Sequence, residues 1–182
     1  MKLLKNPLFA ALLCILIVFT STVISINVKL NNKCEAIIDS FYEGTIQQVP
    51  IYSNVVQLYE IAEDIILVAE NYGIDTRALQ SSIQNLRNEL NFKNDDFSDI
   101  FSAYSSFTKE LRSVEIALSG VELSHRHSEY MDSASKDIFE LKTAIDASKY
   151  NDSIKAFYKK YDRFPTNIFA EIFDIDFPEY FA

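Results

Sequence analysis

Apolar residues are arranged in two ways along this chain. From Leu8 to Val28 no charged residue occurs in 21 positions. Beyond residue 28, apolar side chains recur at steps of three and four. A helix rises ~1.5 Å per residue, so the first stretch reaches the ~30 Å hydrocarbon thickness of a bilayer. Pro7 suits the first turn of that helix, where its missing N–H is no loss. The stretch is therefore expected to cross a membrane, with Leu8, Phe9, Leu12, Leu13, Ile15, Leu16, Ile17, Val18 and Phe19 meeting lipid. A cleaved signal peptide is the competing reading. Lys2 and Lys5 form its basic region, Leu8–Phe19 its apolar region and Val23-Ile24-Ser25 a cleavage site without the usual alanines. The apolar stretch continues past Phe19, which favours the anchor. Lys2 and Lys5 favour a cytoplasmic N-terminus and a body outside the cytoplasm, although Lys29 and Lys33 flank the other end equally.

The helical spacing of the body predicts several amphipathic helices. Over Ser53–Tyr72 the stripe runs Val55, Leu58, Ile61, Ala62, Ile65, Ile66 and Ala69. Gly73 is a stop signal after it, and Asp75 can cap the next helix. That helix carries Leu79, Ile83, Leu86 and Leu90, a narrow seam of the coiled-coil kind. Asn91–Asp96 is a polar break from which Asn94 or Asp95 can open a helix bearing Ile100, Tyr104, Phe107, Leu111, Val114 and Leu118, ending near Gly120. A last long helix is expected over Ser135–Tyr161, its stripe blurred between Ala144 and Tyr150. Gly44 and Pro50 mark either a loop between two helices or a kink in one. No period-two run of β-branched residues occurs, so strands are not expected. The expected architecture is all-α: an N-terminal transmembrane helix over residues 1–28, then one antiparallel bundle of three or four helices over 29–182.

Charge sharpens this division. The chain has 17 basic and 26 acidic side chains. The first 28 residues hold two lysines and no acid, which leaves the body at −11. An acidic body argues against a nucleic-acid partner, since affinity for phosphates comes from clustered Lys and Arg. Three glycines cannot build a Gly-rich phosphate loop. Cys14 lies in the apolar stretch and Cys34 beyond it, so no disulfide framework is expected; Cys34 reads as an apolar packing residue.

Candidate chemistry is sparse. Glu122, His125 and Glu129 stand at i, i+3 and i+7, which on a helix is one face, and Glu-x-x-His is half of a carboxylate-bridged metal motif. The second copy is missing, and an exposed polar stretch explains the residues better. Asp95, Asp96 and Asp99, and Asp174 with Asp176, lack the glycine and closing glutamate of a calcium loop; capping and solvated turns explain them. No Gly-x-Ser-x-Gly turn occurs, and Cys34 has no nearby histidine. Neither a catalytic set nor a cofactor or metal site is expected.

The last 33 residues hold ten aromatics, too many for a disordered tail. The tail should fold back on the bundle, with Phe164-Pro165 breaking the long helix and a short helix near Thr166–Phe173. Tyr150 and Asn151 read as packing plus a hydrogen bond that fixes the adjoining segment. The spacing of Tyr150, Asn151, Ile154, Phe164, Pro165, Asn167, Ala170 and Phe173 resembles the closing motif of the LemA family of bacterial membrane-anchored helical proteins. Phe157-Tyr158 stands where that family has a second Tyr-Asn, and Tyr161 where it has an aliphatic residue. The family's Ala-Trp signature is missing from this chain, which has no Trp. The resemblance implies an all-α, single-pass membrane protein of the bacterial envelope with no catalytic residues to carry over. The expected partners are the lipid bilayer and another membrane or envelope protein. A secreted or periplasmic domain that binds a small ligand or metal after cleavage is the alternative.

Overall fold

The computed structural model describes residues 7–45, 49–91 and 97–182, without the side chain of Leu8. The expected start of a helix at Asn94 or Asp95, and Asp95 and Asp96 themselves, lie outside the described residues. Those residues form seven helices: α1 (Pro7–Tyr42), α2 (Ile51–Asn71), α3 (Arg77–Asn91), α4 (Phe97–Ser119), α5 (His125–Asp146), α6 (Tyr150–Tyr161) and α7 (Thr166–Ile172). The fold is all-α.

Helices α2 to α5 make an antiparallel four-helix bundle. The apolar stripes read from the sequence are its core: Leu58, Ile65, Leu79, Leu86, Ile100, Phe107, Leu111 and Leu118 are all shut off from solvent. The hairpin of α2 and α3 is registered by Glu70, which accepts from Gln80 Nε2 at 2.9 Å, and further along by Glu63, which accepts from Arg87 Nη2 at 2.6 Å. The Arg87 guanidinium also stands over the Tyr59 ring, 4.6 Å from its centroid. The turn between them is a Schellman motif. Gly73 has φ 70°, its N–H donates to Glu70 O at 3.1 Å, and Ile74 N–H donates to Ala69 O at 3.1 Å. Asp75 then accepts from Arg77 N–H at 3.1 Å, as expected of a cap.

One open alternative is resolved and one element differs from the sequence reading. Helix α1 ends at Tyr42 and α2 starts after Pro50, so the joint at Gly44 separates two helices. The expected long helix over Ser135–Tyr161 is two helices. Its first part begins ten residues earlier, at His125, where the Ser124 side chain accepts from His127 N–H as an N-cap. It ends at Asp146, and α6 restarts at Tyr150. No Gly or Pro marks this break. It lies where the stripe loses phase, because Ile145 packs in the bundle while Tyr150 turns toward α1.

The second half of α1 carries a stripe of its own. Leu30, Cys34 and Phe41 are buried on one face, at steps of four and seven. Helix α6 runs back along this face, from Tyr150 beside Phe41 to Phe157, which shares a small cluster with Leu30, Cys34 and Ala170 of α7. The chain then returns. Phe177 packs edge-on against Phe157, and Phe181 against Phe41, with ring centroids 5.0 and 5.3 Å apart. The molecule thus has a distal four-helix bundle and a neck of α1, α6, α7 and the aromatic tail.

Candidate functional site

The neck meets the apolar stretch within two residues. Val28 is exposed and Leu30 is buried on the same uninterrupted helix. On the N-terminal side, Phe9, Leu12, Leu13, Ile15, Leu16, Ile17, Val18 and Phe19 all face outward. Three hydroxyls within this stretch are satisfied by the helix itself. Thr20 Oγ1 donates to Leu16 O at 2.9 Å, Ser21 to Val18 O at 2.9 Å and Thr22 to Val18 O at 2.8 Å. A span in lipid needs this internal satisfaction, since the bilayer core offers no water. Helix α1 is long and apolar enough to cross a membrane. A helix of 36 residues is ~54 Å long, so it can span the hydrocarbon and still extend into the neck.

The residues of the C-terminal motif fall into three groups. Tyr150, Ile154 and Ala170 are buried in the neck. Asn151 and Tyr150 hold the tail. Asn151 Nδ2 donates to Phe181 O at 2.8 Å, Phe181 N–H donates to Asn151 Oδ1 at 2.9 Å, and the Tyr150 hydroxyl donates to Glu179 O at 3.1 Å. The pair opens α6 rather than lying mid-helix. Phe164, Pro165 and Asn167 are exposed at the turn into α7, and Phe173 is half-buried at its end. Helix α7 closes with a second Schellman motif, this time around Asp174. Asp174 has φ 51° and Ile175 N–H donates to Ala170 O at 3.0 Å. Asp174 serves a turn, as expected.

The Glu122, His125 and Glu129 face does not form. Glu122 precedes α5, which begins only at His125. His125 instead faces Glu129 at 3.2 Å, both well exposed. His127 has another use: its Nδ1 lies 3.0 Å from the Tyr72 hydroxyl, which also accepts from Ser124 N–H at 2.8 Å. This network ties the end of α2 to the start of α5. Among the described residues, no three His, Cys, Asp or Glu side chains are grouped to hold a metal ion. Cys34 is buried between α1, α6 and α7.

Burial shifts Tyr104, Tyr130 and Tyr158 upward. Tyr104, facing Asp146, is pushed up to about 12 by burial and then by that carboxylate. Tyr130 is pushed up to about 12 by burial and by the neighbouring Asp64 and Asp137. A cleft of about 320 Å³ lies between the α1–α2 joint and the α5–α6 turn, lined by Ser40, Thr45, Lys149 and Ser153 among others.

No family model, no curated protein and no solved structure matches this chain.

Sequence reasoning missed the neck. Its signal was present in Leu30, Cys34, Ile37 and Phe41, which continue a helical stripe directly out of the uncharged stretch.

Proposed function

We propose that this chain is a single-pass, membrane-anchored interaction protein, non-catalytic and LemA-like, of the bacterial envelope. Its neck holds an acidic helical bundle close to the bilayer for another envelope protein to bind. One observation carries the reading: the uncharged, outward-facing stretch of α1 and the buried stripe of the neck belong to one continuous helix. Such a helix transmits the position of the anchor to the neck without a joint. The spacing match over residues 150–173 supports the LemA-like part. Membrane fractionation with sequencing of the N-terminus tests the anchor. Intact Met1 in the membrane fraction is the expected result; a mature chain starting near Ile26 in the soluble fraction overturns it. Cross-linking from an exposed cysteine on the bundle, in intact cells, should recover a reproducible neighbour.

Lys2 and Lys5 favour a bundle on the non-cytoplasmic side. The folded neck supplies an observation for the opposite orientation. Lys159, Lys160 and Arg163 join Lys29 and Lys33 at the bundle's end of the anchor, all exposed. Protease digestion of intact and permeabilised cells decides between the two. The cleft beside the α5–α6 turn favours the alternative of a released ligand-binding domain, and the N-terminal sequencing above separates that alternative from the anchored form.

A further inference from the structure

Helix α7 buries one side and leaves the other apolar. Ala170 is packed against the neck beside Leu30 and Cys34. On the other side, Ile168 and Ile172 are exposed within α7, and Phe164 is 80% exposed just before it. The three follow steps of four. Elsewhere in the body, large exposed apolar side chains such as Leu67, Ile116 and Phe139 stand one to a helix. Isolated exposures of that kind are ordinary surface. A set of three around a seven-residue helix is not.

The position of α7 says what covers this face. It packs on α1 where Leu30 becomes buried, two residues beyond the uncharged stretch. The covered stripe of α1 continues toward the N-terminus as Asn27, Ile26 and Val23, half-buried where the residues around them are exposed. The packing level of the neck therefore overlaps the end of the span. Charge agrees. From Lys155 to Arg163 the chain carries Lys155, Lys159, Lys160 and Arg163 against the single acid Asp162, in a body that is otherwise acidic. Lys29 and Lys33 are exposed at the same end of α1.

We infer that α7 and the turn before it form an interfacial membrane element, with Phe164, Ile168 and Ile172 set at the boundary of headgroups and acyl chains and Lys159, Lys160 and Arg163 against lipid phosphates. Aromatic and aliphatic residues flanked by Lys and Arg are the composition of such elements. A single helix fixes one end of the bundle; a second contact beside it fixes the tilt. The bundle then stands in one orientation on the membrane instead of swinging about its anchor. This inference rests on the reading of α1 as a membrane span.

The absence of Trp makes the test clean. Ile168→Trp, in the full chain reconstituted into phosphatidylcholine and phosphatidylglycerol vesicles, becomes the sole indole. Its emission should be blue-shifted and lost to lipids brominated near the carbonyls, more than to lipids brominated deep in the chains. Val18→Trp, in the same vesicles, should be quenched best by the deep bromines. Water-like, unquenched emission from Ile168→Trp beside a quenched Val18→Trp overturns the interfacial element and leaves the anchor standing. Blue-shifted emission that no brominated lipid quenches puts a second copy on the face, and also overturns it. If Val18→Trp is unquenched as well, the span itself falls, and the interfacial element with it.

Discussion

Asn151 holds Phe181 by both polar groups of its backbone. The amide Nδ2 donates to the Phe181 carbonyl at 2.8 Å, and Oδ1 accepts the Phe181 N–H at 2.9 Å, across 30 residues of sequence. The side chain thereby replaces the neighbouring strand or helix that would otherwise satisfy this stretch of tail. With the Tyr150 hydroxyl on Glu179 O, it seats the Phe181 ring against Phe41, Phe101 and Tyr104. Asn151→Ala leaves a part-buried donor and acceptor unpaired, each costing about 1–3 kcal/mol. The urea midpoint of the protein in micelles should fall, and a protease should cut the chain after Ile172 before it cuts the bundle. An unchanged midpoint with a resistant tail would contradict the clamp.

Phe41 and Phe164 should respond oppositely to the same truncation. Phe41 is fully enclosed, with ring neighbours Phe97 at 4.8 Å, Phe181 at 5.3 Å and Tyr150 at 5.6 Å. It joins the neck, the tail and the bundle at one point. Phe41→Ala opens a cavity where all three meet, and large aromatic truncations in cores cost about 3–5 kcal/mol. Phe164→Ala removes a ring that touches little protein and should change stability by less than about 0.5 kcal/mol. Denaturation in micelles, followed by circular dichroism, measures both. Equal losses would mean that the neck is not the joint described.

The bundle was legible because its helices obey a simple rule: Leu79, Ile83, Leu86 and Leu90 follow one period, and Gly73 stops the preceding helix with the positive φ that favours glycine. The neck was less legible, because α1 changes function without changing form. Leu8–Val28 is uncharged all round, whereas Leu30–Phe41 keeps one apolar stripe among Lys33, Glu35 and Asp39, and the helix runs on through the change without a break. The break between α5 and α6 has no local signal except a lost stripe. Ala147 ends α5 with an ordinary right-handed backbone, and the chain turns because Tyr150 and Ile154 pack on the neck. The Glu122 and His125 pair failed as a helix face for the opposite reason: Ser124 is a strong local cap that starts the helix between them.

The raised tyrosines set an alkaline limit. A phenol that stays neutral in the fold until about 12, against 10 for an ordinary tyrosine, contributes stability that is whole below pH 10 and lost as pH rises toward 12. For Tyr104 the burial is deep enough to make this worth about 1–3 kcal/mol. Tyr104 and Tyr130 should ionise together with the loss of helix, read by absorbance and circular dichroism on one sample. Tyr104→Phe keeps the ring and removes the proton, so its alkaline unfolding midpoint should move upward. A midpoint that does not move would show that Tyr104 ionises without unfolding.

Cys34 reports whether α7 is seated on α1. It is enclosed by Leu30, Phe157 and Ala170, so a bulky charged maleimide should reach it only after unfolding. In a Cys14→Ser background it is the sole thiol, since the chain has two cysteines. Ala170 fills the narrow contact between α7 and the rest of the neck. Ala170→Leu adds three carbons there, an overpacking that costs about 1–3 kcal/mol and is relieved by lifting α7. Labelling of Cys34 should then become fast in native conditions while the helix content of the bundle is retained. Ala170→Ser, which adds one atom, should leave the thiol protected. Rapid labelling of Cys34 before any substitution, at the rate seen in urea, would mean that α6 and α7 do not cover α1 and that the neck is open.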